Sequence, residues 1–74
     1  MAWIRVETGK HVRLTPAQTR LMSRLLVADV ITQNSNRLRT LAILDDLGLV
    51  EQASEDRWRL TGYGRRIALE LESR

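Results

Sequence analysis

Eleven of the twelve basic side chains in this sequence are arginine. They cluster: Arg20 and Arg24 stand four apart, Arg37 and Arg39 two apart, Arg57 and Arg59 two apart, and Arg65 and Arg66 are adjacent. A guanidinium stays charged throughout the physiological range, and its planar fork of donors matches phosphate oxygens and the acceptor edges of bases. An arginine-rich composition also follows from a GC-rich genome. A net charge of +3 therefore speaks to partners and solubility and leaves the fold open.

Catalytic chemistry has little to draw on. His11 is the only histidine and cysteine is absent, so neither a metal site nor a cofactor is expected. No glycine-rich phosphate loop and no regularly spaced carboxylate pair is present to unite nucleophile, base and oxyanion site, which reads as a non-enzyme. Asp45 and Asp46 are neighbours in sequence, splayed by about 100° on a helix, and suit a solvated face.

These side chains must be positioned by a small scaffold. Seventy-four residues make one expected domain over 1–74, and a chain of that size buries only about 60 to 65% of its unfolded surface. Without a disulfide or metal, stability must come from apolar packing or from a second subunit, which makes a homodimer one expected arrangement. The residues after Met1 contain neither a signal-peptide core nor an apolar run approaching the roughly 20 residues of a membrane span, so a soluble, cytoplasmic protein is expected.

Residues 1–14 predict a hairpin. Trp3, Arg5 and Glu7 alternate with Ile4 and Val6, Thr8-Gly9-Lys10 interrupts, and His11 to Leu14 resume. Trp3 either packs under this hairpin or joins a subunit contact. Thr15-Pro16 is a helix start, a hydroxyl cap followed by proline at the first helical position. Leu21, Met22, Leu25, Leu26 and Val30 then repeat at helical spacing to about Ile31. Gln33-Asn34-Ser35-Asn36 is a turn and cap cluster, and a second helix follows from about Asn36 to Leu47, stopped by Gly48. Leu49 to Ala53 and Arg57 to Thr61 read as two strands around Ser54-Glu55-Asp56, with Trp58 and Leu60 facing inward. Thr61 or Gly64 then opens a last helix whose inner face is Ile67, Ala68 and Leu71. Arg65 and Arg66 in its first turn oppose the helix dipole by a few tenths of a kcal/mol, which points to an outside anion, an acidic neighbour or a solvated pair.

The run Leu44-Asp45-Asp46-Leu47-Gly48-Leu49-Val50-Glu51, followed by Arg57-Trp58-Arg59-Leu60-Thr61-Gly62-Tyr63-Gly64-Arg65, resembles the recognition-helix end, wing and closing helix of MarR-like and PadR-like winged-helix regulators. The likeness extends from Leu38 to Leu71. It implies an α+β, mainly α fold: a winged helix-turn-helix with an N-terminal β-hairpin, divided into hairpin (1–14), helices (15–48), wing (49–61) and closing helix (62–74). It further implies a small double-stranded-DNA-binding transcriptional regulator. The helix 36–47 would enter the major groove, with Asn34, Ser35, Asn36, Arg37, Arg39 and Thr40 toward base edges. Arg57 and Arg59 on the wing, and Arg65, would hold the backbone. The upstream part departs from the family pattern, which has three helices before the wing. Here either the second helix is short, near Val27 to Thr32, or it has merged with the first. The alternative function is a winged-helix docking module for an unidentified protein, which Asp45, Asp46, Glu51, Glu55 and Asp56 would suit.

Overall fold

The structure, a computed structural model, describes residues 2–5 and 11–73. It is an α+β fold of three helices and two small antiparallel sheets. The proposed turn Thr8-Gly9-Lys10, with Val6 and Glu7, lies outside the described residues. The strands on either side of it behave as expected: β1 (Ala2–Arg5) pairs antiparallel with β2 (His11–Leu14), matching Trp3 with Arg13 and Ile4 with Val12. Alternation sends Ile4 and Leu14 into the core and leaves Trp3, His11 and Arg13 outside, so Trp3 does not pack beneath the hairpin.

Helix α1 (Pro16–Ala28) opens on a full capping box. The Thr15 hydroxyl accepts from the Gln18 amide at 3.2 Å, and the Thr15 amide donates to Gln18 Oε1 at 2.9 Å. Gln18, Leu21, Met22 and Leu25 form its buried stripe.

The helix stops earlier than its apolar spacing predicts. Asp29 turns the chain at φ 65°, and Val30–Thr32 become a strand, β3. Both expectations for this stretch, a short helix near Val27 to Thr32 and a merged long helix, are therefore overturned. Three consecutive β-branched residues lose side-chain freedom in a helix and fit a pleated strand. Pairing with β5 buries Ile31 opposite Trp58.

Helix α2 (Ser35–Asp46) is capped by Asn34 and places Leu41 and Leu44 in the core. Gly48 follows at φ 76°, the left-handed turn at which glycine costs least. The hairpin β4 (Val50–Ser54) and β5 (Arg57–Leu60) completes a sheet of order β3-β5-β4, with a bulge between Gln52 and Ser54. Trp58 and Leu60 point inward onto α1 and α3, as the alternation predicts. Two bonds fasten the entry of α2 to the hairpin tip: the Gln33 amide donates to the Asp56 carbonyl at 2.6 Å, and Trp58 Nε1 donates to Gln33 Oε1 at 2.8 Å.

Helix α3 (Gly62–Glu72) is held by Thr61. Its hydroxyl donates to the Gly48 carbonyl at 2.7 Å and accepts from the Gly64 amide at 2.9 Å, so one side chain caps α3 and ties it to the end of α2. Losing a cap costs about 1 kcal/mol and losing the second bond about another. Thr61→Val is accordingly expected to lower stability by about 2 kcal/mol, read as a Tm roughly 10 °C lower in thermal unfolding. No helix among the described residues is long and apolar enough to cross a membrane.

Candidate nucleic-acid interface

The capping chemistry of α2 fixes which of its polar side chains face outward. Asn34 Oδ1 accepts from the Arg37 amide at 2.9 Å, so the carbonyl half of this side chain is committed to the helix start. Helical geometry, at about 100° per residue, then divides the predicted set. Ser35 and Arg39 lie on the outer face, away from buried Leu41 and Leu44, and both are exposed. Asn36, Arg37 and Thr40 turn toward α1.

There they meet side chains for which the sequence predicts no contact with nucleic acid. Arg20 and Arg24, one turn apart on α1, face Asn36, Arg37 and Thr40 across an open groove of about 310 Å³. Ala17 and Leu21 complete its walls. Among the described residues lining it there are three guanidinium groups and no carboxylate. Each end of α2 also carries charge opposed to its own dipole. Arg37 stands in the first turn and Asp45 and Asp46 close the last, with no acidic residue in the first turn and no basic one in the last. Each misplaced charge costs a few tenths of a kcal/mol in an isolated helix. Arg37 is partly compensated, since its Nη1 donates to the Thr32 carbonyl at 2.9 Å. The remaining positive field at the head of α2 gains energy when an anion enters the groove.

No known protein family, curated protein or solved structure matches this chain. The placement of its charges carries the functional reading alone.

On the outer sheet face, Arg57 is exposed and stands in register with Thr32, the residue whose carbonyl Arg37 holds. Arg57 is not among the described residues that line the groove. Arg59 is placed differently: its Nε donates to Glu51 Oε2 at 2.7 Å, the two being cross-strand partners. Arg65 Nη2 lies 3.3 Å from Asp29 Oδ1, which supplies the acidic neighbour that its position in α3 called for. Arg66 instead lies against the Tyr63 ring, 5.3 Å from its centroid. Of the three arginines predicted to hold a backbone, Arg57 has no described acidic partner, while Arg59 and Arg65 each have one.

The hairpin tip is acidic and close by. Glu55 and Asp56 are exposed, and the Asp56 carbonyl is anchored at the entry of α2. These carboxylates make the tip negative, opposite in sign to the three guanidinium groups lining the groove. A sequence signal for Arg20 and Arg24 did exist: spacing of four beside an apolar stripe puts both on one flank of α1. What they face is set by the crossing of two helices, which spacing along one chain segment does not specify.

Proposed function

We propose that this chain is a small double-stranded-DNA-binding regulator of winged-helix type in which strand β3 occupies the place of the second helix. The observation that carries the reading is the α1/α2 groove, where three arginines converge with Asn36 and Thr40. The guanidinium groups of Arg20, Arg24 and Arg37, and separately the exposed Arg57 of β5, take phosphate oxygens through bidentate donors. Asn36 and Thr40, beside exposed Arg39, supply the donors and acceptors that distinguish bases along the major groove. Arg59 and Arg65 stand beside Glu51 and Asp29 in exposed pairs, so their charge is locally offset and they are weaker candidates for phosphate.

Four phosphate contacts predict a definite salt dependence. Anisotropy of a labelled random-sequence duplex should give log affinity against log salt with a slope of about −3.6, and about twice that for two copies on one site. Absence of binding at about 20 mM salt, where counterion release is strongest, would sink the proposal. The docking alternative draws on Leu38 and Ile43, which keep 46% and 40% of their surface exposed on α2. A protein partner covering them would bind with little salt dependence.

A further inference from the structure

A second cleft, about 340 Å³ in volume, opens between the β1–β2 pair and α3 and shares no lining residue with the arginine groove. Trp3, His11, Tyr63, Arg66 and Glu70 form its rim. Buried Ile4 and Ile67 form its floor. The sequence contains two tryptophans, one tyrosine and no phenylalanine, and two of these three rings stand here while Trp58 is in the core. Trp3, on the outward side of β1, keeps 54% of its surface exposed.

Each ring also has a guanidinium against it. The Arg13 Cζ is 5.9 Å from the Trp3 centroid and the Arg66 Cζ is 5.3 Å from that of Tyr63. Aromatic faces interleaved with arginine are the means by which proteins stack unpaired bases and hold the phosphates between them. The volume falls within the roughly 300–1,000 Å³ that receives small organic groups.

We infer that this cleft binds an unpaired base of single-stranded nucleic acid, stacked on Trp3 and Tyr63 with a backbone phosphate on Arg66. A paired base keeps its faces inside the duplex stack and cannot enter without being extruded. The site is therefore separate from the duplex groove and does not rest on that proposal.

The test uses a short fluorescein-labelled oligo(dC) at low salt with the full chain, following both probe anisotropy and tryptophan emission. Wild type should bind and its emission should be quenched. Trp3→Ala and Arg66→Ala should each weaken binding at least about fivefold. Trp3→Phe keeps a stacking face and should bind within about threefold of wild type while losing the quench. The Arg20→Ala/Arg24→Ala double variant should also stay within about threefold, although its duplex binding falls. Absence of oligo(dC) binding overturns the assignment, whatever the duplex does. So does undiminished binding by Trp3→Ala or by Arg66→Ala, or a loss in the Arg20→Ala/Arg24→Ala variant as large as that in Trp3→Ala, which would move the single strand to the groove.

Discussion

Gly64→Ala is expected to leave the chain unfolded under conditions where wild type is native. A Cβ at this position overlaps the carbonyl oxygen of Leu49 and comes to 2.7 Å from its carbon and 3.0 Å from its Cα. The opposing atoms are backbone, so no rotamer change relieves the overlap and α3 must lift off the start of β4. That movement pulls on everything Thr61 holds: its amide bond to Leu49 O at 3.1 Å, its hydroxyl bond to Gly48 and its cap on Gly64. It also draws Ile67 and Ala68 out of the core. Overpacking a core that can adjust costs about 1–3 kcal/mol, and this site lacks the means to adjust. A chain of this length has only about 4–11 kcal/mol of total stability.

The two other described glycines provide the controls. A methyl group at Gly62 would meet nothing within 4 Å, and an alanine there should be neutral or stabilising by up to about 1 kcal/mol. Gly48→Ala meets open space but retains φ 76°, for a cost of about 1 kcal/mol. Far-ultraviolet circular dichroism and thermal unfolding of the three variants should thus rank them Gly62, Gly48, Gly64 from mildest to most severe. A Gly64→Ala protein within about 1 kcal/mol of wild type would show that α3 does not rest on the Leu49 backbone.

The helix ends of this fold were legible because caps are local chemistry. Thr15-Pro16, Asn34, Gly48 and Thr61 each act within a few residues of themselves, and each sits where its type predicts. Alternation was equally readable in Arg57–Leu60, where Trp58 and Leu60 are buried and Arg57 and Arg59 exposed. Strand β3 was not legible. Val30 stands four residues after Leu26 and so continues the helical spacing, and three residues are too few to display alternation. Their strand state comes from pairing with β5, more than twenty residues later. The charged side chains follow the same division. Their types marked arginine-rich stretches, but which arginines stand beside a carboxylate depends on register and helix packing. Glu51 reaches Arg59 because the strands align them, and Asp29 reaches Arg65 because α1 ends beside α3.

That division yields the largest expected effect on binding. Arg20→Ala/Arg24→Ala should weaken duplex affinity roughly 60-fold at about 0.1 M salt and flatten the salt slope by about 1.8, because each lost phosphate contact removes about 0.9 from the exponent. Both side chains are exposed, so circular dichroism and Tm should change little. Glu51→Ala/Arg59→Ala removes a neutral pair and should leave affinity within about threefold and the slope unaltered. Removing both partners matters here, since Arg59→Ala alone would bare a carboxylate on the sheet face and add repulsion unrelated to any lost contact. The comparison separates the α1 arginines, for which the sequence predicts no contact, from Arg59 on β5, for which it predicts one. If the Glu51/Arg59 variant loses more affinity than the Arg20/Arg24 variant, the β4–β5 hairpin holds the duplex and the α1/α2 groove does not. If the groove variant loses affinity with its slope intact, those arginines act through helix packing and not through phosphate.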